Sequence, residues 1–490
     1  MNSKSCLEMG DDTLHNVYTI ERNKTLGRHV VATKKLGVGE TILLEQPILI
    51  AASNNEIRCV NCFKLTESHC EFCKIMPLCG TCQQHNQPEC EKLSSMKGLQ
   101  TDELIKYNET YSIIKCLLIK ENIKTEKYFA QFLEAESHIE QRRNSVIWRK
   151  YQQNIVEPII KSGFAKYLRF ASIINEDFLQ LLCALIDVNA FEIRAPDGNP
   201  MKGLYVQAAL LSHDCVANTV ISIDSSYRMK IYASQEIEPG QIITNCYINV
   251  LLGTRERRRI LWESKYFHCN CLRCNDPTEL NSHISSLLCS KCQGRTLSGY
   301  LVENVDAGNY QCLVCCHQKP ANEVNEYLKF MQTRILEVQG NINQLEKILS
   351  RLSMALHPRH YLIVDVKQNI ASLLRSVIND TTQCPGIPVY ERTIELCQSI
   401  LQVLKLILPG VSRLKAITLY ELASTQAEYR RLLYQKKVID KTKLREYLQE
   451  AEKTLRESIR MLLYEPKATP EARLTHSMLQ EFKYLQTDIK

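Results

Sequence analysis

Residues 59–90 read CVNCFKLTESHCEFCKIMPLCGTCQQHNQPEC, and the interpretation of the whole chain begins from this stretch. A segment this short cannot bury a hydrophobic core, so we expect metal to supply its folding free energy, roughly 10–16 kcal/mol per structural zinc ion. Free buried thiols or disulfides are the alternative interpretation. Eight potential ligands, the number that two tetrahedral zinc sites require, occur here: Cys59, Cys62, Cys70, Cys73, Cys79, Cys82, His85 and Cys90.

Two further cysteine groups lie downstream at metal-ligand spacing. In the first, Cys215 stands far before the CxCxxC motif of Cys269, Cys271 and Cys274. Four thiolates from two distant segments would bind one zinc ion and staple the chain across a site. The second group has two CxxC pairs around a glycine-containing loop, which is typical of a zinc ribbon, with two accidental pairs as the alternative: Cys289, Cys292, Cys312 and Cys315.

The composition indicates an ordinary globular protein with room for two or three domains. The chain has 490 residues, of which 44% are hydrophobic and 23% are charged. Its N-terminus is polar and its longest apolar stretches are interrupted by polar residues, so the sequence predicts neither secretion nor a membrane span. We therefore expect a reducing compartment, the nucleus or the cytoplasm, where thiols bind metal.

The charge balance gives little support for a polyanionic partner. The formal net charge is +7, from 61 basic and 54 acidic residues. The densest basic run is Arg255, Arg257, Arg258 and Arg259, and we interpret it as the solvated face of a helix. No aromatic-interleaved basic stripe accompanies it, so direct nucleic-acid binding is not expected.

Hydrophobic periodicity divides the chain into strand-rich and helical parts. Alternating runs predict strands at residues 17–20, 29–33, 41–44, 191–193, 203–206, 219–223, 229–233 and 242–244. Apolar residues three and four positions apart predict helices from 94 to 186 and again from 322 onward. There, one helix covers 330–352, and breaks follow at Pro358, 385–388, 409–410 and Pro466. We expect a bundle or solenoid of five to seven helices.

Taken in order, these motifs resemble the SET and MYND domain-containing (SMYD) family of protein lysine methyltransferases, in which a MYND zinc finger interrupts a SET domain. Residues 26–32 and 37–40 resemble the first SET segment, and 59–90 the MYND finger. Residues 189–191, 212–218 and 237–247 resemble later SET motifs, and 269–279 the post-SET segment. The third cysteine group and residues 356–361 point to the arthropod-specific SmydA branch.

The resemblance implies an α+β multidomain fold, a β-rich SET domain with a C-terminal helical, tetratricopeptide-like domain. Its expected segments are 1–55 (SET N-terminal segment), 56–93 (MYND finger), 94–186 (helical SET insert), 187–268 (SET core), 269–320 (post-SET zinc site and zinc ribbon) and 321–490 (C-terminal helical domain).

The resemblance also implies how the finger ligands are shared. The family's interleaved scheme assigns Cys59, Cys62, Cys79 and Cys82 to one zinc ion, and Cys70, Cys73, His85 and Cys90 to the other. His69, directly before Cys70, is an alternative to His85. The spacing of Cys79 and Cys82 is one residue shorter than usual, and no tryptophan lies between Cys82 and His85.

The chemistry that the resemblance implies is methyl transfer from S-adenosylmethionine to a lysine amine. A free lysine has a pKa near 10.4, so a narrow desolvating channel would favour its neutral, reactive form. Tyr247 takes the place of the SET tyrosine that orients amine and methyl. The expected cofactor-binding residues are Gly27, Arg28, Asn189, Ser212, His213, Tyr247 and Phe267.

The sequence departs from the family pattern at the expected site. Ser212 replaces an asparagine that contacts the cofactor, and a serine cannot make the same pair of hydrogen bonds. Leu26 and His29 replace a lysine and a glycine. Lys265 stands where many relatives have a second active-site tyrosine, and it could repel a charged substrate lysine or be methylated itself.

Two functions from different classes are therefore expected. The first is a lysine methyltransferase that acts on a histone or another protein and regulates gene expression, in the nucleus and cytoplasm. The second is a catalytically weak or inactive scaffold that acts as a transcriptional co-repressor, binding regulators through its finger and its C-terminal helices. Both require zinc, and only the first requires S-adenosylmethionine and Tyr247.

Overall fold

The computed structural model describes residues 17–53, 56–292, 299–304, 307–380, 382, 385–466 and 469–489. The N-terminal stretch 1–16, whose polarity enters the expectation about secretion, lies outside the described residues. Within them, residues 17–53 and 187–268 form a strand-rich core. The elements that border the candidate site contact this core. The fold is of the expected α+β multidomain kind.

The strand-rich core contains four small sheets and no large one among the described residues. Two of the sheets are antiparallel and three-stranded, with the strand orders β3-β9-β8 and β4-β6-β5. In the other two, β1 pairs with β2 and β7 runs parallel to β10. The strands are β1 (Tyr18–Asn23), β2 (Gly27–Ala32), β3 (Thr41–Glu45), β4 (Leu49–Ala52), β5 (Phe191–Arg194), β6 (Pro200–Leu204), β7 (Ser212–His213), β8 (Thr219–Ile223), β9 (Met229–Ala233) and β10 (Thr244–Asn245).

The predicted strands match the observed ones except at four places, one of which is 242–244, where the strand lies at Thr244–Asn245. The strand expected at 203–206 lies at Pro200–Leu204, because its pairing with β4 and β5 extends toward residue 200. β4 was not predicted, since its Leu-Ile-Ala-Ala sequence is too short and unalternating to be distinguished from a loop. β7 has two residues and depends on its partner Thr244, far along the chain.

The finger (residues 56–93) and the helical insert (residues 94–186) share one hydrophobic core. Cys59, Cys70 and Cys73 are buried in the same cluster as Leu117 and Phe129 of the insert. The zinc ligands therefore lie against a helical wall and not on a free module. The helices are α1 (Gln87–Ser94), α2 (Thr101–Ile105), α3 (Glu109–Glu121), α4 (Glu126–Leu133), α5 (Ile139–Arg142), α6 (Val146–Tyr151), α7 (Glu157–Ser162) and α8 (Glu176–Asn189).

After the core, the chain forms two helices and a ribbon. α9 (Thr254–Lys265) and α10 (Leu272–Asn275) precede an antiparallel four-stranded sheet in the order β11-β12-β13-β14. Its strands are β11 (Leu287–Leu288), β12 (Tyr300–Asn304), β13 (Asn309–Cys312) and β14 (Gln318–Pro320).

The C-terminal part is an array of helices in which consecutive helices pack against one another from residue 342 onward. The single helix predicted over 330–352 is wrong: the chain turns at Gly340, whose φ of 88° lies in the left-handed region that ends helices. The helices are α11 (Ala321–Glu337), α12 (Ile342–Ser353), α13 (Tyr361–Asn379), α14 (Ile387–Ile407), α15 (Arg413–Gln435), α16 (Lys441–Leu462) and α17 (Pro470–Ile489). Among the described residues, no helix combines the length and apolarity that crossing a membrane requires.

The helical array returns to the core through Glu465, whose side chain is buried. Its carboxylate accepts hydrogen bonds from Ser222 and Tyr232 of the β8-β9 pair and from the Arg413 guanidinium at 2.7 Å. Gly410 passes so close that a Cβ there would lie 2.2 Å from the Ser234 carbonyl oxygen. The array is thus docked on the sheet that lies behind the candidate site.

Candidate active site

The sixteen expected metal ligands come together as four groups of four. In each group the ligand atoms all lie within 4.8 Å of one another. Sulfur pairs such as Cys62 and Cys79 are 3.6 Å apart and Cys215 and Cys274 3.5 Å apart. A tetrahedral zinc ion with Zn–S distances near 2.3 Å separates its sulfurs by about 3.8 Å. The groups fit zinc, and their members are free cysteines and not disulfides.

The structure places His85, and not His69, among the finger cysteines. His85 Nε2 lies 3.4 Å from Cys73 Sγ, in the group completed by Cys70 and Cys90. His69 Nε2 instead forms a 2.8 Å hydrogen bond with the Tyr111 hydroxyl, in the helical insert. His85 is therefore the finger ligand, because His69 is engaged by the helical insert.

The group formed by Cys215, Cys269, Cys271 and Cys274 is supported by a buried arginine, Arg257. Its Nε lies 3.2 Å from Cys215 Sγ, and its Nη2 lies 3.3 Å from Cys274 Sγ. Four thiolates around one Zn²⁺ carry a net negative charge, which a guanidinium neutralises while donating to sulfur. The expectation of a wholly solvated basic face is therefore wrong at Arg257, whose side chain has 0% exposure.

Glu279 connects this arginine to a second buried one. The Glu279 carboxylate accepts from Arg257 at 2.6 Å and from Arg273 at 3.0 Å. Arg273 in turn donates to the Val250 carbonyl at 2.7 Å, and both arginines donate to the Leu252 carbonyl. The network fixes the segment that directly follows Tyr247 to the cysteine group.

The seven expected cofactor-binding residues line one cleft with a volume of about 1920 Å³. They come from five separate stretches of the chain, and the parallel β7-β10 pair brings two of these stretches together. The structure brings these residues together in one cleft, and their individual roles stay predictions. They are Gly27, Arg28, Asn189, Ser212, His213, Tyr247 and Phe267.

Tyr247 is held at both its backbone and its side chain. Its N–H donates to His213 Nδ1 at 3.1 Å, and its hydroxyl donates to the Leu211 carbonyl. Burial raises the pKa of Tyr247 above its usual value, so the hydroxyl stays protonated. Its ring centroid lies 5.1 Å from that of His213, which places both rings on one wall of the cleft.

His213 is neutral and has a defined tautomer. Burial lowers the pKa of His213 to about 4. Since Nδ1 accepts the Tyr247 N–H, the ring hydrogen is on Nε2, which points to Cys215 Sγ at 3.4 Å. His213 therefore bridges the tyrosine and the cysteine group, and its ring also lies 5.9 Å from the Phe267 ring.

A buried carboxylate holds the turn that leads to Leu211. Glu45 accepts from the backbone N–H groups of Gln207 and Ala208, each at 2.9 Å. Burial raises the pKa of Glu45 to about 7. Glu45, the last residue of β3, thus positions the turn before Leu211, whose carbonyl accepts the hydrogen bond of the Tyr247 hydroxyl.

Asn189 and Arg28 both connect the core to the end of α4. The Asn189 amide donates to the carbonyls of Glu136 and Leu185, each at 2.8 Å. Arg28 Nη1 forms an ion pair with Glu134 Oε2 at 2.6 Å. An anionic ligand at Arg28 would have to compete with this carboxylate.

The residues that depart from the family pattern occupy different environments. Leu26 is 40% exposed, at the rim, whereas the His29 ring is buried with Nδ1 at 3.1 Å from the Gly27 carbonyl oxygen. Ser212 pairs with Thr244 across β7 and β10. Lys265, the last residue of α9, donates from Nζ to the Val188 carbonyl at 2.5 Å, and burial lowers the pKa of Lys265 to about 8.

Asn218, the last residue of the 212–218 motif, is a structural residue. Its side chain is buried, donates to the Ile242 carbonyl at 2.8 Å and accepts the Thr244 N–H at 2.8 Å. It therefore holds β10 in register beside β7. Cys246, next to Tyr247, donates to the Ile248 carbonyl at 3.2 Å, in keeping with a small packing residue and not a nucleophile.

Sequence reasoning missed Arg257, Glu279 and Glu134 as parts of the site. A signal for Arg257 was present, because Leu261 lies four residues later on the same helix face and is buried. Glu134 carried no such signal, since only the tertiary fold brings α4 to Arg28.

Comparison with known proteins gives one family match and several relatives. Residues 27–248 match the SET domain family. The SET domain-containing protein SmydA-8, isoform B, of Drosophila melanogaster is 23% identical over 366 residues, covering 70% of this chain and 77% of that protein. The histone-lysine N-methyltransferase ASHR1 of Arabidopsis thaliana is 22% identical, covering 80% and 83%. The human N-lysine methyltransferase SMYD2 is 25% identical, covering 42% and 50%.

Proposed function

We propose that this chain, whose residues 27–248 match the SET domain family and which is similar over most of its length to SmydA-8 and ASHR1, is an S-adenosylmethionine-dependent protein-lysine N-methyltransferase of the SMYD type. The observation that carries the proposal is the convergence of Tyr247, His213 and Phe267 on one cleft beside the group of Cys215, Cys269, Cys271 and Cys274.

The residues of the cleft fit the groups of S-adenosylmethionine. When bound, this cofactor supplies a methyl group already activated on a sulfonium. The aromatic faces of Tyr247 and Phe267 suit a sulfonium cation, as aromatic rings attract positive charge. Arg28 suits the carboxylate of the cofactor once it exchanges Glu134 for this new partner. Asn189 and Ser212 add polar groups to the lining of the cleft.

The cleft also suits the acceptor amine. A lysine must arrive neutral to attack a methyl carbon, and low-polarity surroundings favour the neutral amine. The Tyr247 hydroxyl, kept protonated by burial, holds a fixed direction through the Leu211 carbonyl. This chain's contribution is therefore to orient and desolvate the reacting groups, which alone lowers the barrier substantially.

The finer proposal concerns the substrate and its consequence. We propose a histone or another protein as the substrate, methylated in the nucleus and cytoplasm with effects on gene expression. The name of the Arabidopsis relative, a histone-lysine N-methyltransferase, supports the substrate class. The zinc finger and the helical array would then recruit transcriptional regulators.

Two features favour the scaffold as a second candidate function. The cation of Lys265 lies within the cleft, where it repels a charged substrate lysine. The ion pair with Glu134 also lies there, and it occupies the Arg28 guanidinium that the cofactor carboxylate would need. A chain that retained the fold for binding transcriptional regulators would tolerate both.

Calorimetric titration of S-adenosylmethionine into the zinc-loaded chain, followed by a methylation assay on histones, tests the enzyme. We expect micromolar binding, about −8 kcal/mol. Tyr247→Phe should keep that affinity and lower kcat about a hundredfold, because it removes one positioned hydroxyl.

Tyr205→Phe is the matched control. Its hydroxyl is also buried and donates to a backbone carbonyl, that of Tyr227, at 2.7 Å, but it does not line the cleft. We expect its kcat to be near that of the unchanged chain. Absence of binding heat from folded, zinc-replete protein would contradict the enzyme and leave the scaffold.

A further inference from the structure

Lys265 is a lysine side chain that the fold itself delivers to the cleft. It ends α9, and its Nζ lies 5.8 Å from the centroid of the Tyr247 ring. The same cleft wall contains His213 and Phe267. An amine therefore stands beside the tyrosine that the proposed function assigns to the acceptor amine, before any substrate enters.

The amine is held in place without a carboxylate partner. In the described part of the chain its one hydrogen bond goes to the Val188 carbonyl, at 2.5 Å. Asp187, the neighbouring acid, is already engaged by Lys202 at 2.6 Å, Arg142 at 2.8 Å and the Tyr151 hydroxyl at 2.7 Å. A lysine with a neutral acceptor can give up its proton more easily than one in an ion pair.

The burial of Lys265 favours its neutral form. Burial is the largest influence and lowers its pKa to about 8, with Lys202 acting in the same direction and Asp187 in the opposite one. With this pKa, about one Lys265 side chain in ten carries a free lone pair at pH 7. Exposed lysines, with a pKa near 10.4, rarely do.

From this placement we infer that Lys265 is itself an acceptor of the site and is methylated in cis. The inference rests on the proposed function, which supplies the methyl donor. The Lys265 nitrogen lone pair attacks the methyl carbon and a C–N bond forms. The C–S bond breaks, its electron pair stays on sulfur and leaves S-adenosylhomocysteine, and one proton passes from the amine to solvent.

Methylation would change the cleft that a substrate lysine meets. A monomethylated amine keeps a hydrogen for the Val188 carbonyl, whereas a trimethylated one has none and must leave it. The first methyl is therefore compatible with the observed contact, and we expect the product at Lys265 to stop short of trimethyl-lysine.

The test is incubation of the full, zinc-loaded chain with S-adenosylmethionine carrying an isotope-labelled methyl group, followed by peptide mass mapping. We expect label at Lys265, with a first-order rate constant that stays the same over a tenfold range of protein concentration. Lys265→Arg should lose the label. Lys34→Arg is the control and should retain the label at Lys265, because Lys34 is an exposed lysine of the strand-rich part, paired with Glu40 at 2.9 Å.

The other outcomes separate this inference from the proposed function. Cofactor binding and histone methylation without label at Lys265 would overturn the inference and leave the enzyme intact. A labelling rate that rises with protein concentration would show transfer between molecules and overturn the reaction in cis. Loss of cofactor binding altogether would overturn the proposed function, and with it the inference.

Discussion

At the scale of single residues, charge determines how the site is held together. Arg257 lies within 3.3 Å of two cysteine sulfurs and is fully buried, so its guanidinium meets thiolate charge with no solvent between them. The effect of such a contact on metal retention is large, because the outer partners of zinc ligands control their basicity and orientation.

Arg257→Met should weaken zinc at this group roughly 10- to 100-fold. The measurement is the rate of zinc release to a chelator, with total zinc content determined by metal analysis. Arg259→Met is the matched control, since Arg259 lies on the same helix but pairs only with the surface residues Glu256 and Glu263. Equal zinc release from both variants would contradict the role of Arg257.

The pKa of Lys265 makes a separate prediction about pH. Burial lowers it to about 8 from the usual 10.5 of a lysine, so Lys265 is mostly charged below pH 8 and mostly neutral above it. The initial rate of label incorporation at Lys265 should rise about tenfold per pH unit below 8 and level off above it. A rate still climbing at pH 9 would mean that the amine titrates as an exposed lysine does, and that burial does not lower the pKa of Lys265.

At the scale of elements, the turns decide where helices end. Gly340 separates α11 from α12 at a φ of 88°, with open space where a Cβ would stand. The cost of a side chain there is conformational only, because no neighbour would be displaced.

Gly340→Ala should lower the free energy of unfolding by about 1–2 kcal/mol, the penalty of an L-residue in left-handed backbone. The measurement is the urea midpoint of the zinc-saturated chain. Gly37→Ala is the control, since Gly37 also has open space around its Cβ position but lacks a positive φ. We expect that variant to be unchanged or slightly more stable.

At the scale of the whole molecule, the helical array and the strand-rich core are joined by polar contacts around one buried acid. Glu465 receives Arg413 from α15 and Tyr232 from β9. Tyr464 packs beside the same strand, its ring centroid 5.6 Å from that of Tyr232. Residues 408–414 and Glu465 line the cleft, so the array forms part of its wall.

Arg413→Ala should destabilise the chain by about 2 kcal/mol, because it leaves a buried carboxylate with fewer donors. Urea unfolding followed by tryptophan fluorescence measures the change. Arg431→Ala is the matched control from the same helix: its partner Asp488 is exposed, so the loss should be below about 1 kcal/mol. A similar loss in both variants would mean that Glu465 does not anchor the array.

The sequence by itself determined the four cysteine groups, the order of the SET motifs, most strands and the helical C-terminal part. The cysteine pairs, the strands and the helices depend on local spacing: a CxxC pair presents two thiolates to one ion, and a periodicity of two or of three to four residues selects strand or helix. The order of the SET motifs and the sharing of the finger ligands followed from the family resemblance.

Only the tertiary structure decided which histidine joins the finger, that Arg257 is buried, and what Arg28 and Lys265 contact. The Arg28 and Glu134 side chains meet across 106 positions, and the Lys265 amine and the Val188 carbonyl across 77. No spacing rule links such residues. Their partners are set by how packed elements approach one another, because a buried polar group must pair with whatever the fold places within reach.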